Sequence, residues 1–183
     1  MPISVMETAL PGVLVLEPRV CGDDRGWFFE SFNRKDFRMA TGLDQEFVQD
    51  NHSRSMRGVL RGLHYQVQEP QGKLVRVVSG EVFDVAVDLR RNSPHLGRWT
   101  GVTLSAENRR QLWVPEGFAH GFLVTSDQAE VLYKTTRHWV QEYDRSLLWS
   151  DADLGIEWPL AGSVPLLAPK DAAAPVFAAA ELF

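Results

Sequence analysis

The sequence holds one cysteine, Cys21, among 183 residues. An intrachain disulfide and a multi-cysteine zinc site are therefore excluded, and a reducing cytoplasm is the compartment to expect. Nowhere do about 18 apolar residues follow one another, the length a bilayer crossing needs, and Met1 to Leu10 has no basic segment leading into an apolar one. Neither membrane spanning nor export is expected. Positive charge is in deficit too, with 19 Lys and Arg against 24 Asp and Glu and a net charge of -5. General binding to nucleic acid, which relies on many cations neutralising phosphates, is not expected, although a local cluster could still hold a small anion. Helix signals are scarce. The best spans Asn33 to Thr41, with Asn33 as N-cap and Gly42 as the stop.

What is present is the balance of a globular chain, 44% apolar and 23% charged. The length suits one domain over residues 1–183, large enough to bury a core without metal or disulfide staples. Lys73 to Leu89 is the most regular stretch, reading as two strands around a Ser79-Gly80 turn. In its second half Phe83, Val85, Val87 and Leu89 alternate with Asp84, Ala86 and Asp88. Short runs follow at Trp99 to Leu104, Gln111 to Val114, Phe118 to Thr125 and Glu130 to Thr136, separated by polar and glycine-bearing turns. Such evenly spaced strands predict an antiparallel sandwich or barrel, with a jelly roll among the candidates. The Ala- and Pro-rich tail from Ala161 to Phe183 has no clear period and is expected to pack as irregular chain.

Several clusters carry residues suited to chemistry. In Arg61-Gly62-Leu63-His64-Tyr65-Gln66 an extended backbone would put His64 and Gln66 on one face, at the mouth of a barrel. A lone histidine is nevertheless more often a satisfied or exposed residue than a catalyst. Lys73 opens an apolar strand and would set a cation at the rim of the same sheet, as many surface lysines do. His120 stands among Gly117 and Gly121 in an aromatic strand, where missing side chains would admit a ligand or simply form a tight turn. Asp23-Asp24-Arg25-Gly26-Trp27-Phe28-Phe29-Glu30 offers a cation, a carboxylate and flat rings to a nucleotide, or equally a packed edge strand. A metal site is not expected. The metal-containing cupins supply a His-Xaa-His pair followed by Glu, whereas His64 is followed by Tyr65 and Gln66, and no local spacing gathers three or four ligands.

Taken in order, these segments resemble the dTDP-4-dehydrorhamnose 3,5-epimerase family. The likeness runs from Gly22 to Asp171. It includes Asp-Xaa-Arg-Gly-Xaa-Phe-Xaa-Glu at 23–30, Gln49-Asp50-Asn51, Arg-Gly-Leu-His-Tyr-Gln at 61–66 and Gly-Lys-Leu-Val-Arg at 72–76. It continues through Gln-Leu-Trp-Val-Pro-Glu-Gly-Phe-Ala-His-Gly-Phe at 111–122, Leu-Tyr-Lys-Thr-Thr at 132–136, Leu-Gly-Ile-Glu-Trp-Pro at 154–159 and Lys170-Asp171. The resemblance implies an all-β, cupin-type antiparallel jelly-roll barrel with a few short helices, forming a homodimer and needing no cofactor. It also implies a dTDP-4-keto-6-deoxyhexose substrate, with proton removal at the carbons flanking the ketone and reprotonation from the opposite face. By the same resemblance His64 is the base, Asp171 the carboxylate behind it, Tyr133 the acid and Lys73 the cation near the enolate oxygen. Arg25, Glu30, Gln49, Asp50, Asn51, Arg61, His120, Trp139, Asp144 and Lys170 fall on substrate-contact positions.

The chain departs from the family pattern in three places. Trp139 stands where a tyrosine near the sugar is usual, Asp144 replaces a longer Glu, and the segment between His64 and Lys73 is one residue short. Three alternatives to double epimerisation remain at this level: epimerisation at carbon 3 or carbon 5 alone, a ketoisomerase that moves the carbonyl, and a non-enzymatic sugar-binding cupin. The combination of Lys73, Tyr133 and Asp171 favours epimerisation.

Overall fold

Strands account for most of the regular structure, as the runs of Val, Leu and aromatic residues lead one to expect. The computed structural model describes residues 2–183. In chain order its strands are β1 (Ile3–Glu7), β2 (Leu14–Pro18), β3 (Cys21–Asp23), β4 (Gly26–Phe28), β5 (Gln49–Met56), β6 (Leu60–Gln66) and β7 (Lys73–Ser79). They continue with β8 (Glu81–Asp88), β9 (Trp99–Ser105), β10 (Gln111–Val114), β11 (Phe118–Val124), β12 (Gln128–Thr135) and β13 (Asp144–Ser146), and the helices are α1 (Arg34–Thr41) and α2 (Pro169–Ala172). The first sheet runs β1-β2-β10-β7-β12-β5 and the second β13-β6-β11-β8-β9, with β3 and β4 forming a separate hairpin. Pairing within the sheets is antiparallel throughout. This is the jelly-roll arrangement, and all six expected strands, β7 to β12, are present.

Alternation along each strand decides what lies between the sheets and what lies outside them. Val75 and Val77 of β7, Val82 and Ala86 of β8, Phe122 and Val124 of β11 and Val131 of β12 meet in the inter-sheet core. Fully burying each Val, Leu or Phe contributes roughly 1.5–3 kcal/mol, so this shared layer holds the sheets together. Phe83, Val85 and Val87 point the other way, into a second apolar cluster on the outer face of the second sheet, where Leu154, Trp158, Phe177 and Phe183 cover them. The outer face of the first sheet is covered by α1: its Phe37 packs on Leu16, Leu74 and Trp113. Asn33 caps that helix by accepting from the N–H groups of Lys35 and Asp36, and Gly42 ends it at φ 75.

The turn between β7 and β8 requires Gly80. Its φ is +72, and a Cβ there would sit 1.9 Å from the carbonyl oxygen of Gln128. The tail, expected to be irregular, is more ordered than its composition implies. Leu166 forms a parallel bridge with Val59, Pro169 begins the single turn of α2, and residues 177–179 make a 3-10 turn.

Candidate active site

One end of the space between the sheets is lined by polar side chains instead of core. Its cavity of about 300 Å³ is bordered by Gln49, Asn51, Ser53, Arg61, His64, Gln71, Lys73, His120, Tyr133, Trp139, Asp144 and Lys170, among others. That size lies at the lower end of the roughly 300–1,000 Å³ usual for small-molecule sites. Both sheets contribute: Gln49, Asn51 and Ser53 come from β5, Lys73 from β7 and Tyr133 from β12, while Arg61 and His64 come from β6 and His120 from β11.

A bulge explains why Arg61 and His64, three residues apart, reach the same cavity. Opposite β11, His64 pairs with His120 but Arg61 pairs with Phe122, so β6 carries one residue more than its partner over this stretch. The strands approach closely here because both are glycine at the bulge. A Cβ on Gly62 would lie 2.7 Å from Gly121 Cα, and one on Gly121 would lie 2.6 Å from the carbonyl oxygen of Arg61. Gly121 thus serves strand packing as well as lining the cavity, and Gly117, at φ +89, makes the turn into β11.

His64 Nε2 lies 2.6 Å from Asp171 Oδ1, and the other oxygen, Oδ2, accepts the backbone N–H of Gly62 at 3.2 Å. The imidazole is partly open, with 33% of its side chain exposed, whereas the Asp171 carboxylate is nearly covered at 3%. Burial alone would raise the Asp171 pKa. The hydrogen bond and charge of His64, the Gly62 N–H and the charge of Lys170 outweigh it and hold the carboxyl below its ordinary value. A carboxylate depressed in this way contributes stability above its unfolded pKa, and that contribution is lost as pH falls through the folded value.

Lys73 is buried and its ammonium donates to the carbonyl oxygen of His64 at 3.3 Å. Burial lowers its pKa from 10.5 to about 8, even though Asp144 and Asp84 pull it upward, while Lys170 adds to the lowering. Tyr133, in register with Asn51 and Val75, has its pKa raised by burial, with Arg61 opposing and Asp144 reinforcing the rise. It therefore keeps its proton at neutral pH. His120 Nε2 lies 2.8 Å from Asp84 Oδ1, both side chains being almost wholly buried. Lys170 and Asp144 form an ion pair at the rim, and Arg61 Nε donates to Ser55 Oγ at 2.9 Å.

Three of the expected contact residues lie elsewhere in this chain. Arg25 sits on the exposed β3–β4 hairpin and pairs with Asp23; Glu30 accepts from Asn33; Asp50 points outward from β5 to Lys134. Sequence reasoning missed others. Asp84 was assigned only to a strand face, although a carboxylate inside an apolar run is itself a signal of a buried partner. Gln66 does not line the cavity; its amide turns to the backbone of residues 69, 138 and 140. Chemically, the cavity can take a proton at His64, return one from Tyr133 on the facing sheet, and hold an oxyanion near Lys73.

A model of the dTDP-4-dehydrorhamnose 3,5-epimerase family matches residues 7–179. The dTDP-4-dehydrorhamnose 3,5-epimerase of Pseudomonas aeruginosa is 60% identical over 175 residues, 96% of each chain. Among solved structures, the dTDP-6-deoxy-D-glucose-3,5-epimerase of Legionella pneumophila in complex with dTDP-4-keto-L-rhamnose aligns with a TM-score of 0.95 at 50% identity, covering 98% of this chain and 95% of that one. A 3'-monoepimerase of Streptomyces bikiniensis in complex with dTDP-quinovose aligns at 0.87 and 35% identity, covering 93% and 86%.

Proposed function

The chain belongs to the dTDP-4-dehydrorhamnose 3,5-epimerase family, and on that premise we propose how its own side chains carry the reaction. The protein is an isomerase that acts on a dTDP-4-keto-6-deoxyhexose in dTDP-rhamnose biosynthesis, inverting the carbons that flank the ketone. The observation that carries the roles is that His64, backed by Asp171, stands on one sheet and Tyr133 on the other, across a single cavity.

Inversion needs that separation. A base and acid on one face would return the proton where it came from. In the proposed sequence His64 takes the proton from the carbon beside the ketone, the electron pair moves onto the ketone oxygen, and the Lys73 ammonium stabilises the resulting enolate. Tyr133 then donates a proton to the opposite face. General acid–base groups typically supply ~10²–10⁴-fold, so a cation preset at the enolate oxygen is needed for the remainder. Asp171 stabilises the imidazolium formed at His64 and fixes its ring. Arg61 and Lys170 provide the positive charge that suits a diphosphate in an otherwise acidic protein, and His120 adds a polar contact. Gln49, Asn51 and Asp144 are polar contacts, and Trp139 offers a flat face at the rim. We assign no cofactor, since only protons move.

The chain is further proposed to act as one domain, in the cytoplasm, and as a homodimer. The β3–β4 hairpin leaves Trp27 60% and Phe28 65% exposed, and adjacent exposed rings favour burial against another surface. Seated on a second copy, this hairpin would carry Arg25 and Glu30 toward a neighbouring substrate. Asp50, facing the same outer surface of β5, would then lie near that contact.

The deciding experiment incubates the protein with dTDP-4-keto-6-deoxyglucose in deuterium oxide and locates the label. Deuterium at both ring carbons is the expected result. Label at one carbon would reduce the activity to a mono-epimerase, and none would defeat the assignment of the cavity.

A further inference from the structure

Residues 137–140 follow β12 and carry Trp139, 52% exposed at the rim of the cavity. The segment belongs to no helix or strand. Its backbone polar groups must therefore be satisfied from outside. Glutamine side chains do most of this, joined by the Thr135 hydroxyl, which donates to the Arg137 carbonyl at 2.8 Å. Gln71 Nε2 donates to the Arg137 carbonyl at 2.9 Å, Gln49 Oε1 accepts the Trp139 N–H at 2.9 Å, and Gln66 both donates to the His138 carbonyl at 3.2 Å and accepts the Val140 N–H at 2.9 Å. Gln66 Nε2 also donates to the Glu69 carbonyl at 2.6 Å, tying in the loop after its own strand. Gln49 belongs to the first sheet and Gln66 to the second, so the segment is clamped from both sides.

Gln66 is the centre of this clamp. It is 2% exposed, and its three hydrogen bonds all go to backbone atoms. A buried amide with both donor and acceptor engaged has one orientation available, and so do the backbones it holds. Replacing it with an apolar residue of similar size deprives the partly covered Val140 N–H and the Glu69 and His138 carbonyls of this partner.

We propose that Gln66 is a positioning residue for the epimerase reaction: with Gln49 and Gln71 it fixes the backbone of 137–140, so that Trp139 already stands in place on the rim when the nucleotide sugar arrives. This rests on the reading of the cavity as the sugar-nucleotide site. A rim ordered in advance spares the substrate the cost of ordering it, and the benefit falls on binding rather than on the proton transfers at His64 and Tyr133. The Trp139 indole touches substrate; Gln66 acts only through it.

The test is a double-mutant cycle read in steady-state epimerisation of dTDP-4-keto-6-deoxyglucose. Gln66→Leu is expected to raise KM about tenfold and to leave kcat within about twofold, the signature of lost binding that is common to ground and transition states. In a Trp139→Ala background the same substitution is expected to change KM by less than about twofold, because the residue through which it acts is gone. Gln71→Ala, at the exposed end of the clamp, is expected to raise KM about threefold with the same dependence on Trp139. An effect of equal size with and without Trp139, or one carried in kcat with KM unchanged, overturns the proposal. If Gln66→Leu does not fold, the Gln71 and Trp139 pair decides by the same criterion. Wild-type protein that fails to turn over the substrate refutes the reading of the cavity itself, a separate result.

Discussion

His64 with Asp171 and His120 with Asp84 are the same chemical pair on neighbouring strands, joined through Nε2 at 2.6 and 2.8 Å. Their surroundings differ. His64 keeps a third of its side chain open and leans on a carboxylate whose second oxygen is held by a backbone N–H. His120 is 8% exposed, and the second oxygen of Asp84 is buried with no hydrogen-bond partner. A base needs access to its substrate and a fully satisfied counter-charge, and the first pair has both. The second pair is better suited to presenting a fixed donor to a ligand. The difference teaches that a histidine–carboxylate pair takes its role from openness and from the carboxylate's remaining bonds, more than from the length of the pair itself.

The comparison can be broken most directly by removing each imidazole. His64→Ala should abolish deuterium exchange at both carbons and lower kcat by ~10²–10⁴-fold, the usual range for general acid–base catalysis. His120→Asn should act mainly on KM, by about tenfold, as expected for a lost hydrogen bond to a charged group. Equal losses of exchange in the two variants would erase the distinction, and full exchange in His64→Ala would refute its role as base. Next in size is the separation of base from acid. Tyr133→Phe should lower epimerised product by about 100-fold while sparing exchange, because proton removal at His64 does not require the phenol. Product and exchange falling together would place Tyr133 on the same step as His64.

The most gradual effect concerns Lys73, which donates to the carbonyl of His64 beside the first pair. With its pKa near 8, kcat/KM should fall by about tenfold per pH unit above that value as the ammonium is lost, and Lys73→Met should remove this limb from the profile. Stability moves the opposite way. Between about 8 and 10.5 the unfolded chain holds a proton that folded Lys73 has shed, so this residue's contribution to stability rises with pH across the window. Thermal melts and pH–rate profiles of the wild type and Lys73→Met would reveal the two trends.

The strands with apolar alternation, β7 to β12, were legible in the sequence, as was α1 with both its caps. β5 was not, for a physical reason. Its inward residues Gln49, Asn51 and Ser53 line a polar cavity and its outward residues Asp50, His52 and Arg54 pair with β12 side chains, so neither face is apolar. Periodicity has nothing to detect in such a strand. At the site, spacing suggested that His64 and Gln66 share a face, but the bulge gives the cavity Arg61 and His64 while Gln66 turns to the rim backbone. Only the family resemblance pointed to Asp171, because a residue in an Ala-rich tail carries no local sign of a partner on β6.

The distance along the chain between those partners has a consequence for robustness. Asp171 is separated from His64 by 107 residues, and it meets β6 only after the tail has crossed back and formed α2. Closing so remote a contact carries a loop-closure cost that the packing of the tail has to offset. A chain with its strands paired but its tail undocked would lack the carboxylate that stands 2.6 Å from His64. The proposed base is thereby coupled to the packing of a distant segment, so substitutions that loosen the tail should weaken turnover before they unfold the sheets.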